Sequence, residues 1–305
     1  MILHTPSFQD VGDWAIVKQR IEDLAPEIEV RIGTNSKPDP GNRDWQITRP
    51  SLVFSPYRLL AYRPLGGTVY AGRKMSKVLE IRRMTEMGLP VPRTMELVPG
   101  LPLAAEDWGE YVIVKPINGF LGRGVRLVRR DRVDAQFSEL TENGRQRMLV
   151  QPYIAHVDEE GRPRAYRVLT MFGEPLYQSQ WRWSERLRPL FEIAADPHGK
   201  VATNASGVSR KGGLCVVPDV LALARRAAAA FPEIPCLGLD IVRRTDTGQP
   251  CIMETNPSGF TWHLSSQYSR RDAYDKDFAS AKYSQFNALE IVAEKLIERT
   301  RSEAS

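Results

Sequence analysis

The sequence is poor in cysteine and histidine, with three cysteines and four histidines among 305 residues. No two cysteines form a C-x-x-C pair, and no histidine lies within a helical turn of another. This scatter indicates neither a disulfide framework nor a zinc site, so we expect no transition-metal chemistry. The three cysteines are expected to be small buried residues: Cys215, Cys236 and Cys251.

Long apolar runs and a secretory leader are also missing. No stretch approaches the ~18 consecutive apolar residues that a membrane-spanning helix needs. The N-terminus carries Asp10 and Asp13 where a signal peptide would have a basic start and an apolar core. These absences predict a soluble, cytoplasmic protein with no membrane partner.

No region carries a large excess of one charge. The chain has 42 Lys and Arg against 37 Asp and Glu, and residues 1–76 contain ten basic and eight acidic side chains. Proteins that bind nucleic acids concentrate positive charge on one face, so nucleic acid is a disfavoured partner. Residues 181–188 interleave tryptophan with arginine, a pattern open to base stacking, contact with an acidic substrate or a solvated turn.

What the sequence does contain is an ordinary globular composition, 42% hydrophobic and 26% charged. At roughly 100–200 residues per domain, its length predicts two or three domains. Apolar spacing predicts a helix over residues 12–24 and strands over 28–32 and 51–54. We therefore expect an α/β unit at the N-terminus. A second helix is predicted over residues 76–87, with Ser76 as its N-cap.

A lysine at the end of an apolar strand precedes a glycine-rich loop. Four apolar or aromatic residues lead to Lys115, and Gly119, Gly122 and Gly124 follow. Glycine lets backbone N–H groups approach an anion closely, so such a loop can cradle phosphate. The order G-x-x-G-x-G matches neither G-x-G-x-x-G nor G-x-x-x-x-G-K-[ST], and alone it is more typical of a plain hairpin turn. Joined to the lysine and to the oxygen ligands described next, it indicates nucleotide binding.

Three oxygen-bearing side chains lie on a predicted hairpin near the C-terminal third of the chain. If its turn is centred near Thr247, Asp240 lies opposite Glu254, with Cβ atoms about 4.5–5.5 Å apart. Asn256 shares a strand face with Glu254 because the two are two residues apart. Facing carboxylates repel each other unless a cation lies between them, so the pattern predicts an Mg²⁺ or Mn²⁺ site. The alternative is a surface hairpin whose carboxylates are solvated or paired with neighbouring arginines.

Several motifs follow one another in a characteristic order. They are Lys77 with Gly88-Leu-Pro-Val-Pro eleven residues later, Lys115-Pro116 with its glycine loop, Gln151-Pro-Tyr-Ile, Ala165-Tyr-Arg167, and Asp240 with Glu254-Thr-Asn256-Pro-Ser-Gly. In this order and spacing the chain resembles the ATP-grasp superfamily over about residues 70–262. The resemblance is to its carboxylate–amine ligase branch, which includes ribosomal-protein glutamate ligase, glutathione synthetase and D-alanine:D-alanine ligase.

The resemblance implies an α/β (α+β) fold of three parts and assigns roles to individual residues. The parts are an N-terminal α/β domain (1–75), a central lid domain (76–150) and a C-terminal mixed-sheet domain with the metal site (151–305). Lys77 and Lys115 would contact the ATP phosphates and the adenine side of the cleft. The loop with Gly119, Gly122, Arg123 and Gly124 would fold over the triphosphate, and Asn204 would lie at the phosphate end. Gln151, Pro152, Tyr153 and Ile154 would receive the adenine, and Asp240, Glu254 and Asn256 would hold one or two Mg²⁺ ions. Arg167 and Lys115 would be catalytic. The ribose partner is left open among Asp158, Glu159 and Glu160.

The resemblance also implies a reaction. ATP would phosphorylate a carboxylate, and an amine would attack the acyl phosphate to form an amide or peptide bond, releasing ADP and phosphate. The implied partners are a small-molecule or peptide carboxylate and an amine acceptor. Two alternatives are a phosphotransferase that acts on a hydroxyl and a non-catalytic nucleotide-binding regulator. The sequence leaves open whether the protein forms a homo-oligomer.

Overall fold

The part of the chain that the structure describes folds into three β-sheets flanked by helices. The computed structural model describes residues 1–36, 48–119, 122–196, 201, 209–265 and 276–305. The first sheet is parallel, with strands in the order β2-β1-β3-β4. Its strands are β1 (Ile2–His4), β2 (Ile32–Thr34), β3 (Leu52–Ser55) and β4 (Thr68–Ala71).

Helix α1 (Val11–Leu24) connects the first two strands and confirms the predicted helix. Its buried residues Trp14, Val17 and Ile21 recur at helical spacing and form the stripe that packs on the sheet. The strand predicted over 28–32 is wrong, because the N–H of Ile28 closes a turn onto Ala25 O at 2.9 Å and the strand begins only at Ile32.

The second sheet is antiparallel, in the order β5-β8-β6-β7. It follows helix α2 (Lys77–Glu86), whose N-cap is Ser76, as predicted. The hydroxyl of Ser76 accepts a hydrogen bond from Leu79 N at 3.3 Å. The strands are β5 (Met95–Glu96), β6 (Tyr111–Pro116), β7 (Arg126–Arg129) and β8 (Met148–Pro152), and the short helices between them are α3 (Ala105–Trp108) and α4 (Phe137–Leu140).

The third sheet is antiparallel, in the order β11-β10-β9-β12-β13. The strands are β9 (Arg164–Met171), β10 (Glu174–Trp183), β11 (Arg210–Leu214), β12 (Cys236–Arg243) and β13 (Pro250–Asn256). The accompanying helices are α5 (Leu190–Ala195), α6 (Pro218–Ala228), α7 (Lys276–Gln285) and α8 (Ala288–Glu303). One face of this sheet packs on α2 and α6, and the other packs on α8.

One hydrophobic core joins the first sheet to the third. Trp14 of α1 and Phe54 of β3 belong to the same buried cluster as Leu169 of β9 and Val292 of α8. The second sheet has a cluster of its own around Trp108. The three sheets follow the three predicted ranges in order, and their division into domains stays a prediction. No helix in the described ranges is long and apolar enough to cross a membrane.

Candidate active site

Three charged side chains form a row across the third sheet. Arg167 of β9 is the register partner of Asp240 in β12, and Asp240 is the register partner of Glu254 in β13. Directly opposed residues of antiparallel strands project from the same face, so the row lies on one side of the sheet. Asn256, two residues beyond Glu254, belongs to this face as well. The predicted pairing of Asp240 with Glu254 is confirmed.

A register shift in the β12–β13 hairpin produces this pairing. Ile241 pairs with Ile252, yet the preceding residue of β12, Asp240, pairs with Glu254 rather than with Met253. The extra residue is a β-bulge, a device that re-aims side chains at functional sites. Because of the bulge, an acid rather than a methionine lies opposite Asp240.

The two carboxylates are paired with side-chain cations. Arg167 donates from Nε to Asp240 Oδ1 and from Nη2 to Oδ2, both at 2.8 Å. Burial disfavours the charged form of Arg167, but Asp240, together with Tyr177 and Glu254, outweighs it and holds the pKa of Arg167 above its usual value. Lys77 Nζ lies 2.9 Å from Glu254 Oε1. Asn256 donates to Asp240 Oδ2 at 3.4 Å. The structure therefore brings Lys77, Arg167 and all three predicted metal ligands together.

Lys115 extends this charged group into the second sheet. It lies in β6 with only 9% of its surface exposed. Burial lowers its pKa to about 8, and the positive charge of Lys77 acts in the same direction, while the carboxylates of Glu254 and Glu80 oppose the shift. These interactions place the Lys115 ammonium within electrostatic range of the Lys77–Glu254 pair. A phosphate bound beside Lys115 would stabilise the charged form of the lysine, because its negative charge would offset the cost of desolvation.

Glu80 is a member of the group that sequence reasoning missed. It lies one turn after Lys77 in α2 and is 5% exposed. It accepts a hydrogen bond from the hydroxyl of Thr255 at 2.6 Å. Burial raises its pKa to about 7, and the charge of Glu254 raises it further, against the Thr255 hydrogen bond and the two lysines. The i, i+3 spacing of Lys77 and Glu80 was the only available signal, and it is common on exposed helices.

The donor set fits a hard divalent cation. No group of three or more His, Cys, Asp and Glu side chains suited to a metal occurs in the described part of the chain. A cation at this site would therefore rest on the Asp240 and Glu254 carboxylates and the Asn256 amide oxygen. Oxygen-only sets of this kind suit Mg²⁺, which retains waters and takes further oxygens from substrate phosphates.

The glycine loop after β6 has the backbone conformation that its glycines predict at two positions. Gly122 and Gly124 have φ of 70° and 71°. A Cβ on Gly124 would lie 2.8 Å from Pro116 Cγ, so that position also lacks room for a side chain. Gly119 has an ordinary φ, and Arg123 is exposed. Residues 120–121 lie outside the described residues, as does the predicted phosphate ligand Asn204.

The predicted adenine hinge connects the second sheet to the third. Gln151 is buried and donates to Thr94 Oγ1 at 2.6 Å, and Pro152 ends β8. Tyr153 packs with the cluster beside the second sheet, whereas Ile154 packs with the end of the β12–β13 hairpin. Burial raises the pKa of Tyr153 to about 12, and its hydroxyl has no hydrogen-bond partner among the described residues. His156 Nδ1 lies 2.7 Å from Ile154 O.

The acidic turn after the hinge is engaged in its own hydrogen bonds. Asp158 Oδ1 accepts from the backbone N–H groups of Glu160 and Arg162, each at 3.0 Å, and its other oxygen pairs with Arg182. Arg182 also pairs with Glu160 at 2.6 Å. Glu159 is the remaining candidate for a ribose contact that is not engaged in these pairs, and it is exposed.

The interpretation of residues 181–188 as a solvated turn is wrong at its beginning. Residues 181–183 close β10, where they pair with β11. Trp183 is buried, and Trp181 lies against Gly212, since a Cβ on that glycine would approach Trp181 Cζ3 to 2.5 Å. Alternation along a strand explains the Trp-Arg-Trp pattern, because it places the two tryptophans on one face and the arginine on the other.

Comparisons with known proteins place the chain by its fold. No protein-family model and no curated protein matches the sequence. The D-cycloserine synthetase DcsG is 17% identical, with a TM-score of 0.50 over 97% of this chain and 99% of that chain. The ATP-grasp ligase PsnB, complexed with minimal precursor, Mg and ADP, is 15% identical, with a TM-score of 0.56 over 98% and 96%.

D-alanine–D-alanine ligase from Bacillus anthracis, complexed with ATP, is 14% identical, with a TM-score of 0.53 over 99% of this chain and 97% of that chain. All three likenesses extend over nearly the whole of both chains. At these identities they concern the fold, which agrees with the three sheets described above. The chain therefore has the ATP-grasp fold.

Proposed function

We propose that the protein is an ATP-dependent carboxylate–amine ligase. It would use ATP and Mg²⁺ to convert a carboxylate into an acyl phosphate, which an amine then attacks. The observation that carries the proposal is the clustering of Lys77, Lys115, Arg167, Asp240 and Glu254 in an ATP-grasp fold. The names of the three structural relatives, a synthetase and two ligases, support the same reaction class.

The side chains suit phosphoryl transfer because that reaction needs positioning and charge neutralisation more than covalent help from the protein. Lys77 and Lys115 would neutralise phosphate oxygens, and the amides of the glycine loop would cover the triphosphate. Arg167 would stabilise negative charge on the transferred group. Loss of one such group typically costs on the order of 10²–10³ in rate.

Asp240, Glu254 and Asn256 would hold the metal. When bound, Mg²⁺ would supply a compact positive charge that orients phosphate oxygens and stabilises charge developing on them. Asp240 has Arg167 as its partner and Glu254 has Lys77, so each carboxylate is paired with a cation of the protein. These ion pairs hold Arg167 and Lys77 beside the position that we propose for the phosphates.

The proposed substrates are a small-molecule or peptide carboxylate and an amine. Hydroxylamine can replace the amine, because it attacks an acyl phosphate to give a hydroxamate. We expect hydroxamate and free phosphate in the presence of ATP, Mg²⁺ and the correct carboxylate, and neither product with Glu254→Gln. Phosphate transfer to a hydroxyl would consume ATP without releasing free phosphate and would overturn the proposal, as would a failure to bind ATP.

A further inference from the structure

A buried hydrogen bond joins helix α2 to the strand that carries two of the proposed metal ligands. Thr255 donates its hydroxyl proton to Glu80 Oε2 over 2.6 Å. Thr255 is 3% exposed and Glu80 is 5% exposed. Neither residue has a role in the function proposed above, and both lie next to residues that do.

Thr255 lies in sequence between Glu254 and Asn256 and faces the other side of the sheet. Its register partner is Leu239, whose buried cluster includes Ile81 and Met84 of α2. Side chains alternate along a strand, so Glu254 and Asn256 lie on the face of Asp240 and Arg167 while Thr255 projects toward α2. The hydrogen bond therefore holds the backbone of residues 254–256 from the α2 side of the sheet, opposite the face on which both ligands lie.

Strand β13 needs such an anchor because it is the last strand of its sheet. On its outer side, Ile252 N donates to Pro90 O at 2.8 Å, in the segment that follows α2. The Glu80–Thr255 bond adds a second attachment, nearer the ligands. Lys77, one turn before Glu80, reaches Glu254 directly. Helix α2 thus holds the end of β13 through both the ligand and its neighbour.

A buried carboxylate is a costly way to make this attachment if packing were its only purpose. An apolar side chain in its place would often be neutral or stabilising, whereas a carboxylate must be compensated by hydrogen bonds and nearby cations. The charges that bear on Glu80 come from Glu254, Lys77 and Lys115. All three belong to the proposed site, so Glu80 is placed to act on that site.

We propose that Glu80 is a positioning residue for metal binding, acting through the Thr255 hydroxyl to hold Glu254 and Asn256 in the orientation that Mg²⁺ requires. The inference rests on the proposed function. Groups that orient metal ligands in this way typically contribute about 10- to 100-fold to metal affinity or activity. We therefore expect loss of the bond to raise the Mg²⁺ requirement about tenfold or more.

The test uses the full-length protein with ADP and MgCl₂ as probes. The measured quantity is the Mg²⁺ concentration that gives half-maximal ADP binding, recorded by calorimetry, with the melting temperature of the ligand-free protein as a separate readout. The variants are Thr255→Val, which removes the hydroxyl, Thr255→Ser, which keeps it, and Glu80→Leu. Thr170→Val is the matched control, because Thr170 is a buried threonine of the same sheet whose hydroxyl bonds to Leu237 O at 3.3 Å.

We expect Thr255→Val and Glu80→Leu each to raise the Mg²⁺ midpoint about tenfold, and the double variant to raise it no further, because both remove the same link. Thr255→Ser should restore the midpoint, and Thr170→Val should lower only the melting temperature. If Thr255→Val does not fold, Glu80→Leu against Glu80→Gln, which keeps an acceptor oxygen, gives the same comparison. An unchanged midpoint in variants that fold would overturn the inference, whereas absence of Mg²⁺-dependent ADP binding in the unmodified protein would overturn the proposed function itself.

Discussion

At the scale of single residues, the buried cations of the site differ in whether burial lowers their pKa. Arg167 lies beside Asp240 and remains charged, since Asp240, Tyr177 and Glu254 together raise its pKa against the effect of burial. Lys115 has no such partner at hydrogen-bond distance among the described residues, and burial lowers its pKa to about 8. Of the two, only Lys115 can lose its charge in a pH range where the protein is readily studied.

This difference predicts that ADP affinity falls as pH rises above about 8. Lys115 loses its proton there, and at pH 9.5 only a few per cent of the ligand-free protein would keep the charge, so we expect affinity to fall about tenfold between pH 8 and 9.5. Glu80, with a pKa of about 7, is already ionised over this range. Calorimetric titration with ADP at saturating Mg²⁺ measures the effect. Lys115→Met should bind ADP more weakly at pH 8, and its ADP affinity should not change between pH 8 and 9.5.

Protein stability should respond to Lys115 with the opposite sign. The unfolded chain has an ordinary lysine pKa near 10.5, so between pH 8 and 10.5 it binds more protons at this group than the folded chain does. The contribution of Lys115 to the free energy of unfolding therefore increases with pH in that interval. A parallel decrease in both quantities in the unmodified protein, with no difference in Lys115→Met, would assign the pH dependence to another group.

At the scale of helices and strands, the sequence predicts those parts of the site that local rules determine. Centring the turn near Thr247 predicts Asp240 opposite Glu254, and the structure reaches that pairing through the β-bulge next to Asp240. The strand that carries Lys115 is predicted by its apolar run. The sequence does not predict the contact of Glu80, because that contact depends on where α2 packs against β13. That placement is a tertiary contact between residues 175 positions apart.

The cap of helix α2 is expected to influence both stability and nucleotide binding. Ser76→Ala removes the hydrogen-bond acceptor for Leu79 N and should cost about 1 kcal/mol of unfolding free energy. Because Lys77 and Glu80 lie in the first turn, the variant should also weaken ADP binding several-fold. Asp10→Ala is the control: Asp10 caps α1 through Gly12 N at 2.9 Å, far along the chain from these residues. The prediction fails if Ser76→Ala binds ADP as tightly as Asp10→Ala does. That result would mean that packing, rather than the cap, holds the first turn of α2.

At the scale of the whole molecule, the first and third sheets are expected to unfold together. They share the cluster that contains Trp14, Phe54 and Val292, so neither can expose its part without uncovering the other. Asp13 of α1 strengthens this junction by accepting hydrogen bonds from Trp262 Nε1 at 2.8 Å and Tyr283 OH at 2.7 Å. The second sheet has a core cluster of its own around Trp108, so we expect it to open separately.

Asp13→Ala should lower the free energy of unfolding by about 3 kcal/mol, since it leaves the buried donor of Trp262 and the half-buried donor of Tyr283 without an acceptor. Asp23→Ala removes an exposed acidic residue of the same helix, which accepts from Gln19 at 2.8 Å, and should change stability by less than about 0.5 kcal/mol. Denaturant unfolding gives these energies, and amide hydrogen exchange locates the loss. Because the two sheets share one core, protection in β1–β4 and β9–β13 should fall together while the second sheet keeps its own exchange rate. Loss confined to β1–β4 would instead mean that the N-terminal sheet is a separate unfolding unit.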